Sequence, residues 1–199
     1  MTKIKLQVLP LEASDYKIDF QVKRIFNAAF AGRDPSDVQH HIEEMAELGV
    51  PSPSEFPLTT SVSNHLLSTT KSLQLYAETT SGEVEYVLLW HQGEILLGVG
   101  SDHCDLWLER HCLLRSKNVA PNIIASQVWR LSDLARRFDR LVLICNIEID
   151  GHWQTVQRAP CGSLLPPELW IRSVQKNFTE TDGTVLFSGT LASPLEIDA

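Results

Sequence analysis

Most apolar positions in this chain fall into short runs of period two between turn residues, the pattern of strands rather than of long helices. YKIDFQVKRIFNAAFAG (16–32) alternates and is rich in β-branched and aromatic residues, enough for one or two strands. GEVEYVLLWHQGEILLGVG predicts strands over about 83–90 and 94–99, with His91-Gln92-Gly93 as a hairpin turn. RLVLICNIEIDGHWQTVQRA predicts a second hairpin turning at Asp150-Gly151, and DGTVLFSGT (182–190) a turn followed by a strand. Residues 53–81 are rich in Ser and Thr, with β-like pieces in FPLTTSV and SLQLYAE.

The 3.6-residue period is clearest in DPSDVQHHIEEMAELGVPSP. There Asp34 can cap the N-terminus, Pro35 fits the first helical position, Gly49 suits the residue after the last turn, and Pro51 blocks continuation. A second helix is expected within 122–137, from the spacing of Ile123 and Ile124 against Val128, Trp129 and Leu131. PPELWIRSVQ (166–175) suits a short one. Strands dominate, so the class is a β-rich α+β domain. With 199 residues and no repeat or low-complexity linker, one domain over 25–199 is expected, preceded by an N-terminal arm or strand over 1–24.

Composition narrows the partners. The chain is 43% hydrophobic and 21% charged, ordinary for a globular protein, and its net charge of −8 argues against binding nucleic acid, whose phosphates need basic surface. No apolar run is long enough for a bilayer or a signal peptide, so no membrane partner is expected. Cys104, Cys112, Cys145 and Cys161 are far apart without C-x-x-C spacing, which reads as reduced thiols in a cytoplasmic protein.

Candidate chemistry starts in GEVEYVLL. Alternation puts Glu83 and Glu85 on the face of Val87 and Leu89, and Val84, Tyr86 and Leu88 on the other. Both faces turn apolar within two residues, so at least Glu85 approaches the interior. A solvated strand end is the ordinary reading of such a pair. The other is a hard divalent cation, which would remove both the burial cost and the mutual repulsion. Downstream, LGVGSDHCD (97–105) places Asp102 in a loop leaving the hairpin, beside the start of the first strand; Asp102 or Asp105 could equally cap the next helix.

On the helix, taking Val38 as zero, Ile42 falls at about +40°, Met45 at about −20° and Leu48 at about −80°. His41, at about −60°, lies inside this apolar arc, and Glu44 at about −120° is within reach, whereas His40 points away. Such a half-buried His–Glu pair is either a satisfied core histidine or a general base with its tautomer fixed. Lys117 is either a surface lysine or, near a metal, a stabiliser of an oxyanion. G-x-S-x-G, Walker A and G-x-G-x-x-G motifs are absent.

The order of these pieces resembles the fumarylacetoacetate hydrolase superfamily, and more closely a branch of it without assigned function. The resemblance rests on AGRD (31–34), HHIEEMAELGVPSP (40–53), TSGEVEYVLL (80–89), LGVGSDHCD (97–105), LWLERHCLLRSK (106–117) and GTVLFSGT (183–190), and covers about residues 25–190. It implies a mixed β-roll with peripheral helices, commonly a homodimer, with Glu83, Glu85 and Asp102 binding Mg²⁺ (Mn²⁺ or Ca²⁺ being alternatives). It implies a catalytic His41–Glu44 dyad, Lys117 polarising a substrate oxygen, and Thr190 holding substrate oxygens. The activity implied is metal-dependent chemistry on a small keto or 1,3-dicarbonyl compound, foremost hydrolytic C–C cleavage through a metal-chelated enolate. Keto–enol isomerisation, decarboxylation and other lyase reactions use the same groups, and a non-catalytic ligand-binding descendant is the alternative from another class. One stretch departs from the superfamily pattern D-x-S-A-R-D-x-Q: in DHCDLWLE, Leu106 and Glu109 stand where Arg and Gln would face the substrate.

Overall fold

The computed structural model describes residues 2–47, 49–75 and 80–190. The chain opens with strands β1 (Lys3–Val8), β2 (Tyr16–Gln21) and β3 (Arg24–Ala29), then helix α1 (Pro35–Glu47), β4 (Leu58–Val62) and the short β5 (Leu67–Ser68). The long hairpin β6 (Thr80–His91) and β7 (Glu94–Asp105) leads into one-turn helices α2 (Leu106–Glu109) and α3 (Leu113–Ser116). Strands β8 (Asn122–Ile124) and β9 (Gln127–Arg130) precede α4 (Leu131–Leu134). A second hairpin, β10 (Val142–Ile149) and β11 (His152–Pro160), helix α5 (Pro167–Asn177) and β12 (Thr184–Phe187) complete it.

Ten strands form one mixed sheet in the order β2-β1-β9-β7-β6-β12-β3-β4, with β8 also on β7 and β5 on β8; β10 and β11 pair separately. Residues 3–8, part of the expected arm or strand, are an integral strand: β1 pairs β2 antiparallel and β9 parallel, with Leu6 and Val8 fully buried. The sheet curls into a roll with a core on each face. Val87, Leu89, Leu96, Ile124, Val128 and Phe187 pack with β1–β3 residues inside it. Tyr86, Leu88, Trp90, Leu97 and Leu186 pack outward on α4, α5 and the second hairpin, through Leu131, Leu134, Leu143 and Trp170. Strand β6 is therefore buried on both sides, and its alternation sorts cleanly between the two cores.

Both hairpins turn on two residues of positive φ, Gln92-Gly93 and Asp150-Gly151, whose twist matches that of the strands. Helix α1 starts and stops on its own signals. Asp34 Oδ1 accepts from Ser36 N–H at 2.8 Å, and Gly49, at φ 87°, lets Val50 N–H reach Met45 C=O at 2.9 Å.

Three expectations are corrected. Residues 122–124 and 127–130 are strands rather than helix: Ile123 and Ile124 pair with β7, Val128 pairs with Val8 of β1, Trp129 and Arg130 pair with β7, and the helical period survives only from Leu131. The first hairpin is longer than expected, so Asp102 lies within β7, directly opposite Glu83, and not in a loop. His41 is exposed (48%), because α1 buries only a narrow stripe through Val38 and Ile42. Of SLQLYAE, residues 76–78 lie outside the described residues, as does Leu48; residues 72–75 are irregular. No helix among the described residues is long and apolar enough to cross a membrane.

Candidate metal centre

At one level of the roll the inward-facing rows turn from apolar to polar together. Along β6 the row Leu89–Val87 continues into Glu85 and Glu83, along β7 Leu96 leads through Gly98 and Gly100 to Asp102, on β3 Ile25 is followed by Asn27, and on β8 Ile124 is preceded by Asn122. Gly100 is needed there: a Cβ would come within 2.6 Å of Ile123 C=O and 2.7 Å of the Phe187 ring. The polar groups are deeply buried, Asp102 and Asn122 at 0% exposure and Asn27 and Glu85 at 1%.

Ligand oxygens of Glu83, Glu85 and Asp102 lie within 4.8 Å of one another. Lys117 reaches them from the end of α3, its Nζ 3.0 Å from Glu83 Oε2 and 2.7 Å from Asp102 Oδ2, the latter a close ion pair outside hydrogen-bond geometry. Neighbouring Asn118 fastens this segment to the end of β4, donating to Ser61 C=O and accepting from Ser63 N–H. Asp102 Oδ1 accepts from Asn27 Nδ2 at 2.7 Å, and Asn27 Oδ1 accepts from Asn122 Nδ2 at 2.7 Å, a relay that fixes the carboxylate plane. Glu85 Oε2 accepts from the backbone N–H of Gly189 at 2.8 Å. Gly189 holds φ 85°, and a Cβ there would press on Ala31 at 2.9 Å.

The electrostatics do not balance. Two like charges about 5 Å apart repel by roughly 3 kcal/mol at an effective dielectric near 20. Lys117 answers Glu83 and Asp102 at contact distance but acts on Glu85 only from beyond ion-pair distance; Glu85 Oε2 accepts from the Gly189 N–H, and its Oε1 is buried without a hydrogen-bond partner among the described residues. Burial, then repulsion by Asp102 and Glu83, holds the Glu85 carboxyl well above the ordinary range. Burial likewise pushes Asp102 up to about 6 although Lys117 opposes it. Burial pulls the Lys117 ammonium down, but Glu83 and Asp102 more than offset it and keep the group cationic. Three carboxylates, one of them with a partnerless oxygen, offer hard donors that suit a divalent cation of the Mg²⁺ type.

The other candidate residues fall in different places. Asp105 caps α2, accepting from Leu108 N–H at 2.9 Å, and does not join the cluster. Glu109 is buried near Lys117 and Glu83, and Leu106 is partly buried at the start of α2. Thr190 Oγ1 donates to Val84 C=O at 3.1 Å and accepts from Gln157 Nε2 at 3.0 Å, while Gln157 Oε1 accepts from Val84 N–H. Thr190 and Gln157 thus clamp the backbone between the two glutamates. His41 Nδ1 is 3.6 Å from Glu44 Oε2, but His40 Nε2 also reaches Glu44, at 3.2 Å, and all three side chains are about half-exposed or more. No hydrogen bond or ion pair among the described residues joins this group to the carboxylates. A cavity of about 300 Å³ elsewhere, bordered by Arg24, Phe26, Ser61 and Phe178, contains no carboxylate. The sequence reading missed Asn27, Asn122 and Gln157; the signal for the first two was an Asn two residues from an inward-facing Ile in a strand.

The sequence profile of a family described as protein of unknown function DUF2848 matches residues 28–198. The chain belongs to that family. No curated protein matches. Among solved structures, the chain is similar to Cg1458, with TM-score 0.65 and 10% identity over 91% of this chain and 72% of that one. It is similar to 5-carboxymethyl-2-hydroxymuconate delta-isomerase from Mycobacterium smegmatis, with TM-score 0.61 and 15% identity over 90% and 74%. It is also similar to 2-keto-3-deoxy-D-arabinonate dehydratase complexed with magnesium and 2,5-dioxopentanoate, with TM-score 0.63 and 14% identity over 88% and 64%. The fold is a β-rich roll like that of these solved structures, as the resemblance to the fumarylacetoacetate hydrolase superfamily implied.

Proposed function

We propose that Glu83, Glu85 and Asp102 hold a divalent cation, Mg²⁺ foremost, and that the protein is a metal-dependent enzyme acting on a small keto or 1,3-dicarbonyl compound. The observation that carries this is Glu85 Oε1, a carboxylate oxygen buried without a partner and within reach of two further carboxylates. A structure with this cost is retained where a cation removes it. All the donors are oxygen, which favours Mg²⁺ over a softer metal, and one solved structure of the same fold is described with magnesium.

When bound, the cation would supply Lewis-acid polarisation of substrate oxygens. The protein groups have separate tasks. Lys117 is a fixed positive charge where negative charge develops on a substrate oxygen. Asn27 and the Gly189 N–H hold Asp102 and Glu85 in place, so neither must reorient as charge moves. Hydrolytic C–C cleavage is the first reaction we assign, with the His41–Glu44 pair as the base acting on water. Elimination of water or a proton shift is the second; the structural relatives named dehydratase and delta-isomerase favour it.

The test has two stages. Titrating Mg²⁺ or Mn²⁺ should raise the melting temperature, since a ligand at a hundred times its Kd adds about 2.7 kcal/mol. Glu83→Ala with Glu85→Ala should abolish the rise. A panel of 2-oxo and 1,3-dicarbonyl acids then separates reactions by product mass: two fragments for cleavage, one water lighter for a dehydratase, no change for an isomerase. Turnover that survives the double substitution would sink the metal mechanism.

A further inference from the structure

One stretch of β6 is completed by side chains where its strand ladder stops. Strand β12 pairs with Leu89, Leu88 and Val87, and Ser188 N–H donates to Tyr86 C=O at 3.1 Å. At Gly189, with φ 85°, the backbone leaves this ladder and turns its N–H to Glu85 Oε2. Val84, buried between the two glutamates, is therefore met on that side by a closed ring of hydrogen bonds instead of a strand. Val84 N–H donates to Gln157 Oε1 at 3.1 Å, Gln157 Nε2 to Thr190 Oγ1 at 3.0 Å, and Thr190 Oγ1 to Val84 C=O at 3.1 Å. All three bonds run in one direction, so each polarises the next. Gln157 is only 4% exposed and comes from β11, outside the sheet that carries the glutamates.

A threonine hydroxyl has one proton, and here Val84 C=O takes it. What remains on Thr190 Oγ1 is a lone pair, which a substrate carbonyl or carboxylate oxygen, itself an acceptor, cannot use. The hydroxyl that the family resemblance would set on substrate oxygens is spent on the backbone. We propose that Thr190 and Gln157 are positioning residues for the cation: their ring fixes Val84, and with it the spacing of Glu83 and Glu85, and so sets how tightly the cation binds. This rests on the metal reading above and adds to it what holds two of the three ligands in place. An ion of the Mg²⁺ type tolerates little departure from octahedral geometry, and losing a group that orients metal ligands costs about ten- to a hundredfold in affinity.

Calorimetry on the full chain with Mn²⁺ tests it. Gln157→Met keeps the volume and removes both bonds, Thr190→Val keeps the shape and removes the hydroxyl, and Thr190→Ser keeps the hydroxyl. The result expected is a Kd for Mn²⁺ raised about tenfold or more in the first two and within about threefold of wild type in Thr190→Ser. Combining Gln157→Met with Thr190→Val should weaken binding no further than the weaker single variant, because either change opens the ring. On Mn²⁺-saturated protein, the chelator oxalate should bind each variant as it binds wild type. A Kd for Mn²⁺ unmoved by Gln157→Met and Thr190→Val overturns the proposal and leaves the metal reading standing; weaker oxalate binding in Thr190→Val would then return Thr190 to the substrate. A Kd raised equally by Trp153→Ala, at the exposed end of the same hairpin, would trace the effect to a loosened hairpin and overturn it too. If Gln157→Met does not fold, Thr190→Val against Thr190→Ser decides. Failure of the wild-type protein to bind Mn²⁺ overturns both this proposal and the metal reading.

Discussion

Two groups of chemistry-bearing side chains in this protein contrast instructively. On α1, His40 and His41 share Glu44 on a solvated helix face, with side-chain exposures of 74%, 48% and 57%. On the β6–β7 hairpin, Glu83, Glu85 and Asp102 meet Lys117 inside the roll, where Asp102 is at 0% and Lys117 at 5%. Both groups pair opposite charges at similar distances, yet only the second changes what its members are. Water screens the helix group, and its pairs contribute a few tenths of a kcal/mol at most. In the roll, each charge depends on its neighbours for solvation it cannot obtain from water.

The sharpest way to break this contrast is Lys117→Met. It leaves Asp102 and Glu83 without their cation, and removing one partner of a buried pair costs about 3–5 kcal/mol. Urea unfolding at neutral pH should show a loss of this order in metal-free protein, partly recovered with Mg²⁺, which can replace the missing charge. A loss no larger than that from His40→Ala would mean that burial is not what separates the two regions.

The same contrast explains what was legible in the sequence. Alternation placed Glu83 and Glu85 on an apolar row, and the hairpin turn brought Asp102 near them, although the sequence put Asp102 in a loop and left Asp105 as its alternative. That inference needed only local period and one turn. His41 misled for a complementary reason. Helical phase gives the direction of a side chain but not the width of the stripe that the rest of the fold covers, and here the stripe ends at Val38 and Ile42. Residues 122–124 and 127–130 misled because Ile123, Ile124 and Val128 suit either period, and the choice was made by long-range partners, β7 and β1. Asn27 and Asn122 stand 95 residues apart and meet only because β3 and β8 both line the roll. Gln157 is brought to Val84 from the second hairpin. No local pattern carries such contacts.

A smaller effect, of opposite sign, comes from Glu85→Gln. The wild-type carboxyl has a raised native pKa, so the native state holds its proton after the unfolded chain has released it. Stability of metal-free protein should therefore fall as pH rises, from about 3.8 through about 6 on account of Asp102 and further on account of Glu85. Glutamine cannot ionise, so the variant should be more stable than wild type by about 1–2 kcal/mol without metal at neutral pH, while losing its response to Mg²⁺. In the wild type the melting-temperature gain from Mg²⁺ should be larger at pH 7.5 than at pH 5, because the cation competes with protons for the same oxygens. A gain that does not depend on pH would place the cation elsewhere.

The smallest effect on the fold is expected from His41→Ala. Its Glu44 contact is 3.6 Å long and solvated, and His40 remains to pair with the same carboxylate, so stability should stay within about 0.5 kcal/mol of wild type. The Mg²⁺-induced rise in melting temperature should not change either, since no hydrogen bond or ion pair among the described residues joins α1 to the carboxylates. Those two measurements isolate the one role left to the pair. If His41 delivers or takes a proton, kcat on a turned-over substrate falls by about a hundredfold or more while stability and cation response stay at wild-type values. A shifted cation midpoint would instead couple the exposed pair to the buried one, and the line drawn between the two regions would have to be redrawn through α1.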